Sequence, residues 1–470
     1  MATTLDTINK ILHIYYARYL TSTTNDRTNV RDLISKDSRK FDGSVLRMGL
    51  VDGFPASGGA LGPGATIPDS EESNVDVTNV YLSYHYFPIE IDWDVEEHSS
   101  GPHAWIRASA LEIERVRKWS LLHFERQAAG DGSGIIAGEP NPAATNLLPL
   151  VNVTALNPLT FTIDKLYGIR FQKRQRLEFW DPGGTTLNPV TMVMRAGPDA
   201  GGTYYTVGNI QHSGNTTTVT CEETVTGGAN EPGNNQATYY DIVAQAGAIR
   251  QDYYSGTDNA SNEEAGLSLI CGADNWPMRP TSKAGFTPTA STFQDVSSSS
   301  AQWAGAVVDA GGNKILGPGI FEDVNLELGL TGSHSIDEIG MILTNPFQVA
   351  KFRRTLYPME LFTKSDDSPH SFPSGAKSSM KEQKTYLTWG GIPIIPSRFI
   401  DPDEALLPNL EYIKIYENTP YKFAAGDGSM WQRSPSGRAS YRAVAYKYEA
   451  TGCISRNCHA KVKNLDVTRV

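Results

Sequence analysis

The stretch PHAWIRASALEIERVRKWSLLHFERQAAGDGSG, residues 102–134, decides how the rest of the chain is interpreted. Pro102 suits the first turn of a helix because its φ is fixed there, and Gly130 is a typical helix stop. Between them, Ile113 and Phe124 belong to an apolar face that repeats at helical spacing. The pattern predicts one amphipathic helix of about seven turns. Arg117 interrupts its apolar face, which predicts a charged partner across an interface.

The composition favours a protein rich in strands and loops. Of 470 residues, 39% are hydrophobic, 20% are charged, 43 are glycine and 27 are proline. That length allows two or three compact units. No run of about 18 apolar residues and no secretory signal occurs, so a soluble protein made in the cytoplasm, with no membrane partner, is expected. Four scattered cysteines predict reduced, partly buried thiols.

The charge distribution argues against a protein that coats itself with nucleic acid. The net charge is −11, from 41 basic and 52 acidic residues. Residues 433–470 nevertheless contain eight basic and only two acidic side chains. We expect a modest basic surface there, which solvated charge explains as easily as contact with DNA.

Two N-terminal segments lack a core of their own. Apolar residues spaced three and four apart predict an amphipathic helix whose seam needs a partner; they are Leu5, Ile8, Leu12, Tyr15 and Tyr19. Between Phe41 and Trp93, two strand-like runs flank a glycine-rich middle. The second run, Phe87–Trp93, alternates apolar and polar residues as a half-buried strand does. A two-stranded ribbon with so little to bury is expected to lie on a neighbouring molecule.

Further along the chain, short runs rich in Thr, Val and Tyr at 187–248 predict a small β-barrel or sandwich inserted into a larger domain. A helix is predicted from Pro346 to Leu356 and a hairpin turning at Gly390-Gly391. The last strands are predicted near Tyr412–Tyr416 and Tyr441–Tyr448.

No motif predicts catalysis, a cofactor or a metal. GxSxG, HExxH and kinase-like sets are missing from the sequence, and its GDGSG and GDGS clusters lack the Lys-Ser/Thr pair of a phosphate loop. Cys453, Cys458 and His459 supply three soft ligands, whereas a structural zinc site needs four. We therefore expect no enzyme. Tyr81, Tyr84 and Tyr86 are interpreted as interface anchors in preference to base-stacking residues.

The order of these elements resembles the Hong Kong 97-like fold of tailed-bacteriophage major capsid proteins. The resemblance spans nearly the whole chain and is carried by residues 102–134, SSSSAQWAGAVVDAGG at 297–312, IGMILTNPFQVAKFRRTL at 339–356 and GGIPIIPSRFIDPDEALLPNLEYIKI at 390–415. It implies an α+β fold with an N-terminal arm, an extended β-loop, a long spine helix, and peripheral and axial domains, here with the inserted small β-domain.

The resemblance also implies a division of the chain. The expected units are the arm 1–40, the extended loop 41–98, the peripheral domain 99–186 with the spine helix 102–129, the inserted β-domain 187–248, a return to the peripheral domain at 249–264, the axial domain 265–410 and closing C-terminal strands 411–470. The candidate inter-subunit residues on the arm and loop are Leu5, Ile8, Leu12, Tyr15, Tyr19, Phe54, Leu61, Ile67, Tyr84 and Tyr86. The candidate spine-helix residues are Arg117, Trp119 and Phe124.

The implied function is self-assembly, as hexamers and pentamers, into an icosahedral shell that encloses packaged double-stranded DNA. Expected partners are further copies of the chain, a portal protein, DNA held non-specifically on the inner face, and a decoration protein on the inserted domain. The chain begins almost directly at the arm, so a separate scaffolding protein is expected. The alternatives are an encapsulin-type bacterial nanocompartment shell, which would enclose cargo, and another virion component such as a decoration or tail protein.

The resemblance raises one question of covalent chemistry. Some members of the family join a lysine on the extended loop to an asparagine of another subunit. Between Phe41 and Arg117 this chain contains no lysine. An arginine guanidinium stays protonated and is a poor nucleophile. We therefore predict a shell held together without covalent cross-links.

Overall fold

A computed structural model describes residues 30–37, 39, 41–51, 75–92, 102–132, 134–137, 151–181, 193–195, 204–225, 232, 242–251, 259–261, 263–272, 292–294, 296–297, 303–332, 334–363, 387–424, 430–433 and 440–468. The helices in these ranges are α1 Pro102–Ala129, α2 Lys165–Gly168, α3 Leu267–Ile270, α4 Pro318–Gly332 and α5 Pro346–Thr363. Single 3₁₀ turns lie at Arg31–Leu33 and Ile336–Glu338. None of the described helices is long and apolar enough to cross a membrane.

The strands follow in chain order. They are β1 Ser35–Asp37, β2 Val45–Val51, β3 Val75–Tyr81, β4 Ser83–Asp92, β5 Ile135–Ala137, β6 Asn152–Leu156, β7 Leu159–Asp164, β8 Arg176–Asp181, β9 Val193–Met194, β10 Tyr205–Ser213, β11 Thr216–Cys221, β12 Ile242–Gln245, β13 Ile249–Gln251, β14 Asn259–Ser261, β15 Thr292–Phe293, β16 Val296–Ser297, β17 Ala306–Asp309, β18 Ile342–Thr344, β19 Leu387–Trp389, β20 Ile392–Pro396, β21 Ala405–Leu407, β22 Ile413–Phe423, β23 Gln432–Arg433, β24 Ser440–Cys453 and β25 Ala460–Lys463. Helices and sheets together confirm the predicted α+β class.

The long helix α1 has the predicted bounds and packs on a five-stranded sheet. In that sheet β24 pairs with β22 on one side and with β4 on the other. The alternation expected of β4 is present, because Phe87, Ile89 and Ile91 are buried and join a core with Phe124 of the helix. The period of two along β4 therefore places one of its faces beneath α1.

The extended loop differs from its prediction in how its strands pair. The run at Phe87–Trp93 was expected to pair with the first run after Phe41. Instead β2 pairs with β3, from Val45 opposite Tyr81 to Val51 opposite Val75, and β4 pairs with β24. The two-stranded ribbon is β2–β3, whose base packs Leu46 and Val80 against Tyr416. Tyr84 and Tyr86, which belong to β4, thus lie in the five-stranded sheet.

The predicted self-contained β-module at 187–248 is also corrected. Its strands β10, β11 and β12 belong to an eight-stranded sheet with β5, β6, β7 and β8, all of which precede residue 187. β10 pairs with β8 and β11 pairs with β7, so both strands of this hairpin pair with strands that lie outside residues 187–248. Phe161 and Phe179 stack edge to face beneath it, with their centroids 5.5 Å apart. Excising 187–248 would therefore cut through one shared core.

The third large sheet has six strands in the order β17-β25-β21-β18-β20-β19. The predicted hairpin turn is confirmed, since Gly390 and Gly391 both have positive φ between β19 and β20. Helices α4 and α5 share this core, with Phe321 and Phe352 6.1 Å apart. Helix α5 continues past the predicted end at Leu356. One internal proline costs a helix a hydrogen bond but does not end it when the earlier turns are packed.

Candidate assembly surface

The spine-helix candidates Trp119 and Phe124 lie at different depths. Phe124 is fully buried, and its ring centroid is 4.9 Å from that of His85 and 5.8 Å from that of Phe87 on β4. Trp119 is half-buried and its ring is 6.1 Å from that of His123. Phe124 is therefore a core residue, while Trp119 reaches the surface.

Arg117 does not need the charged partner that the sequence predicts across an interface. Its guanidinium is buried, and Nε donates to Oε2 of Glu114 at 2.7 Å, one turn earlier on the same helix. Spacing of three residues brings two side chains together on a helix surface. The charge is thus compensated within the subunit.

A buried ionic network joins four chain segments beneath the spine helix. Arg31, from the segment that precedes β1, donates to Glu264 with 3.3 Å between Nη1 and Oε1, and it also pairs with Glu449 of β24. Lys447 Nζ lies 2.7 Å from Oε2 of Glu449. Both cations sit over the ring of Phe124, at 4.4 Å and 5.2 Å from its centroid. The network ties the arm segment to the helix and to the central strand.

The protonation states in this network follow from burial and pairing. Burial by itself raises the pKa of Glu449, but Arg31 and Lys447 outweigh it and lower that pKa to about 2. Burial lowers the pKa of His85 to about 4, so this ring is neutral at neutral pH. Burial raises the pKa of Glu264 from its ordinary value. The ionised Glu449 carboxylate therefore neutralises cations that would otherwise be buried without a partner.

The same network contains the three described side chains with spacing suited to a metal ion. Ligand atoms of His85, Glu264 and Glu449 lie within 4.8 Å of one another. Arg31 and Lys447 already contact these carboxylates, so an added divalent cation would be held next to two positive charges. The donor set fits an ion-pair network better than a metal site.

Cys453 and Cys458 lie next to His459 in the core. Nδ1 of His459 accepts from the backbone N–H of Asn409 at 3.0 Å, so Nε2 carries the proton and faces Cys453 Sγ at 3.1 Å. Burial lowers the pKa of His459 to about 3 and raises the pKa of Cys458 to about 12. All four cysteines are free and buried, so they lie deeper than the partly buried thiols that the sequence predicts. Neutral, buried thiols are unreactive.

A cavity of about 350 Å³ lies between the end of α1, the eight-stranded sheet and the turn before β21. Asp401, Asp403 and Glu404 line it. Arg170 Nη2 lies 2.7 Å from Asp401 Oδ1, and Lys461 Nζ lies 2.7 Å from Glu404 Oε1. Burial, with Asp401 adding to it, raises the pKa of Asp403 to about 6. The cavity between α1, the eight-stranded sheet and the turn before β21 is thus lined by a carboxyl group, that of Asp403, whose pKa is close to neutral.

Among the large apolar side chains that are exposed in the described ranges, two pairs are each close together in the chain, one on β4 and one on α4. Tyr84 and Tyr86 on β4 are 47% and 56% exposed, and both stack edge to face against Tyr448. Leu326 and Leu330 on α4 are 62% and 72% exposed. Both patches suit contact with another molecule. Tyr84 and Tyr86 were predicted as inter-subunit residues, and their exposure is compatible with that prediction.

The leucine pair on α4 was not among the predicted residues, although the sequence contains a signal for it. Leu326, Leu328 and Leu330 are spaced two apart, which places leucine on both sides of one helix. Leu328 is buried in the six-stranded core. The exposed side of this helix also carries the acidic residues Glu322 and Asp323, so the two leucines are apolar exceptions on a polar face and mark a candidate contact surface.

The other predicted inter-subunit residues are outside the described part of the chain: Leu5, Ile8, Leu12, Tyr15, Tyr19, Phe54, Leu61 and Ile67. They stay predictions.

The basic C-terminal surface is smaller than predicted. Lys447, Arg456 and Lys461, three of its eight basic residues, are buried. The Nη2 and Nε atoms of Arg456 donate to the carbonyls of Leu269 and Ile270. These charges serve internal contacts, which a sequence-level count of charge could not show.

No protein-family profile and no curated protein matches this chain. Among solved structures, a chain of the cyanophage A-1(L) capsid is 9% identical, with a TM-score of 0.44 and coverage of 93% of both chains. The encapsulin SrpI of Synechococcus elongatus is 10% identical, with a TM-score of 0.37 and coverage of 93% of this chain and 87% of that one. The capsid of a native GTA particle is 9% identical, with a TM-score of 0.40 and coverage of 94% and 91%.

Proposed function

We propose that this chain is the major capsid protein of a tailed phage, a shell subunit that works by assembling with copies of itself. The observation that carries the proposal is the presence of two exposed apolar pairs on different elements, Tyr84 with Tyr86 on β4 and Leu326 with Leu330 on α4. A self-complementary patch closes a dimer. A subunit with two distinct patches instead builds rings and larger closed assemblies.

The packing of the subunit supports this role. The arm segment and the central strand are joined by buried ion pairs, and the two cations of these pairs lie over the ring of Phe124 on the spine helix. The ribbon β2–β3 packs Leu46, Met48 and Val80 beside Tyr416, and Leu50 packs against a second core. The loop that joins the two strands, residues 52–74, is proposed to contact a neighbour. The buried interface is expected to exceed the roughly 2,000 Å² at which obligate assemblies begin.

The finer parts of the proposal follow the resemblance. The subunit forms hexamers and pentamers of an icosahedral virion shell around double-stranded DNA, made in the host cytoplasm with a scaffolding protein and a portal protein. A decoration protein is a further partner. The role is structural, without catalysis, cofactor or metal. A shell filled with protein cargo would instead indicate a nanocompartment, and a tail or decoration role would give no closed shell.

The test is electron microscopy and light scattering of the purified full chain, with and without a scaffolding protein. Closed shells or capsomers are expected. The variant Leu326→Ser/Leu330→Ser should keep the melting temperature of the wild type and lose closed shells. A wild-type chain that stays a monodisperse monomer under every condition overturns the proposal.

The matched control is Glu322→Ser/Asp323→Ser, which changes two exposed residues on the same helix. Within the part of the chain that the structure describes, their one ion pair is Lys314 with Asp323 at 3.6 Å, which is exposed and contributes little. Shells should form normally from this control. Equal loss of shells in both double variants would show that α4 tolerates no change, and the leucine patch would then have no specific role.

A further inference from the structure

Four tyrosine rings form a cluster on the face of the five-stranded sheet opposite to the one that α1 covers. Tyr84 and Tyr86 project from β4, and Tyr446 and Tyr448 project from β24. In the strand register, Tyr448 lies opposite Tyr84, and Tyr446 lies opposite Tyr86. Side chains that face each other on paired strands are close enough to interact. The fold therefore brings together phenols from distant parts of the chain.

Tyr448 contacts each of the other three rings. Its centroid is 4.8 Å from that of Tyr84 and 6.0 Å from that of Tyr86. The centroid of Tyr446, on the same strand, is 5.2 Å away. The hydroxyls of Tyr448 and Tyr86 are hydrogen-bonded at 3.2 Å. This hydrogen bond, together with partial burial, raises the pKa of Tyr448 to about 12, so its phenol is protonated at neutral pH.

The orientation of the rings does not suit a platform for nucleic-acid bases. The ring of Tyr448 is inclined by 67° to that of Tyr84 and by 69° to that of Tyr86, so the ring faces point in different directions. A stacking platform needs aromatic faces on which successive bases lie flat. The edge-to-face contact instead places the ring carbons of one phenol against the other ring. This arrangement suits a bond between two ring carbons.

We propose that Tyr84 and Tyr448 are a site of oxidative modification, at which hydrogen peroxide, acting through a haem peroxidase, joins the two rings as dityrosine. Each phenol loses one electron and one proton and becomes a phenoxyl radical. The two radicals couple through ring carbons ortho to the oxygens, and the hydrogen atoms on those carbons move to the oxygens. The released electrons and protons reduce the peroxide. Two phenols and one peroxide thus give one dityrosine and two water molecules.

The surroundings of the cluster support this reaction. Tyr84 and Tyr86 are 47% and 56% exposed, and the hydrogen bond between the Tyr86 and Tyr448 hydroxyls is at the surface as well. An oxidant can therefore reach the rings of the unassembled subunit, and water can accept the phenolic protons. Because Tyr84 and Tyr448 belong to one subunit, the product contains no cross-link between subunits. The inference goes beyond the proposed function and does not depend on it.

The new bond should stabilise the subunit. It joins β4 near the N-terminal end of the chain to β24 near the C-terminal end, so it closes a very long loop. A cross-link that closes a long loop restricts the unfolded chain more than one that closes a short loop. The melting temperature of the oxidised chain should therefore rise, on the order of 5 °C.

Limited oxidation of the purified full chain with hydrogen peroxide and a haem peroxidase tests the proposal. Mass spectrometry of the digest should identify a linked peptide pair that contains Tyr84 and Tyr448 and is two hydrogen atoms lighter than the separate peptides. In a mixture of normal and heavy-isotope copies, both peptides should carry the same label. A link between differently labelled copies overturns the inference. So does oxidation without the link, for example at Trp119, which lines a cavity with Tyr84 and Tyr86.

Three variants separate the reacting rings from their surroundings. Tyr448→Phe should lose the link and the rise in melting temperature, because phenylalanine forms no phenoxyl radical. Tyr86→Phe removes the hydrogen bond but neither reacting ring, so it should slow the reaction and keep the product. The matched control is Tyr412→Phe, since Tyr412 is half-buried and contacts no other ring among the described residues. This control should give the wild-type yield of the link.

The variants also state what overturns the inference. A folded Tyr448→Phe chain that still gains the full rise in melting temperature contradicts it, and so does an equal loss of the link in the Tyr412→Phe control. Absence of the link in folded wild-type protein refutes this inference and leaves the proposed assembly untouched. A wild type that gains the link but forms no shell under any condition refutes only the proposed function.

Discussion

The two sides of β4 differ in whether their side chains are buried and paired within the subunit or exposed to solvent. On the side beneath α1, His85 is held neutral, and nearby Arg31 and Lys447 share the carboxylate of Glu449. On the other side, Tyr84 and Tyr86 are exposed. Burying an unpaired charge costs several kcal/mol, so the first side is completed within the subunit. In the proposed assembly, the exposed tyrosines of the second side are covered by another molecule.

This contrast separates folding from assembly within a single strand. Substitutions on the buried side should lower the free energy of unfolding, and assembly should fall only as a consequence. Substitutions on the exposed side should change assembly while the subunit stays folded.

The largest effect is expected for Phe124→Ala. It leaves a cavity below β4 and removes the ring on which Arg31 and Lys447 rest. The expected loss is about 3–5 kcal/mol, measured by denaturant unfolding of the subunit. Leu111→Ala, at an exposed position of the same helix, should cost less than about 0.5 kcal/mol. Similar losses from both changes would contradict the burial of Phe124.

Glu449→Gln removes the carboxylate shared by two buried cations. The expected loss is about 3 kcal/mol at neutral pH, since one member of a buried pair is left uncompensated. The folded pKa of Glu449, about 2, is below its ordinary 4.5. Its stabilising effect is therefore fully present above about pH 4.5 and is lost as the pH falls towards 2. Unfolding curves of wild type and variant should converge over that range.

Lys314→Gln provides the control for this pH series. It breaks an exposed pair with Asp323, whose atoms are 3.6 Å apart, and should change the free energy of unfolding by less than about 1 kcal/mol. Equal effects from the two changes would mean that the buried network adds nothing beyond a surface ion pair.

The carboxyl group of Asp403 is not fully neutralised by nearby cations, so its effect on stability should depend on pH in the opposite direction. The pKa of Asp403 is raised to about 6 from an ordinary 3.8, so the folded state favours its protonated form. Its protonation stabilises the fold below about pH 4, and that contribution disappears as the pH rises through 6. Asp403→Asn should therefore stabilise the subunit by on the order of 2 kcal/mol at pH 8 and have little effect at pH 4. A variant less stable than wild type at pH 8 would show that the ionised form is needed.

Local features of the fold could be predicted from the sequence, but the partners of its strands could not. Pro102 and Gly130 mark both ends of the spine helix, and Gly390-Gly391 marks the hairpin turn, because each imposes a backbone geometry by itself. Alternation along β4 predicts which face is buried. It contains no information on the partner, and β24 lies about 350 residues later in the chain.

The assembly surface was only partly predictable for the same reason. Tyr84 and Tyr86 are visible as exposed aromatics in an alternating strand. Leu326 and Leu330 could also have been found from their spacing. The pairing of Arg117 with Glu114, three residues earlier on the same helix, was also within reach of the sequence. The pairing of Arg31 with Glu449 was not, because the two residues are far apart in the chain and only the folded structure brings them together.

The smallest effect on unfolding is expected for Tyr84→Ser/Tyr86→Ser. Both rings are exposed, and the hydrogen bond between the Tyr86 and Tyr448 hydroxyls, at 3.2 Å, is exposed as well. The free energy of unfolding should therefore change by less than about 1 kcal/mol. Shell yield should nevertheless fall, because buried tyrosines contribute strongly to interfaces. The same change one position along, Phe87→Ser, should unfold the subunit, since that side chain is 4% exposed. Sedimentation separates the two outcomes: the tyrosine variant should sediment as folded subunits, and the phenylalanine variant as aggregate. Normal shells from the tyrosine variant would remove this face of β4 from the assembly surface.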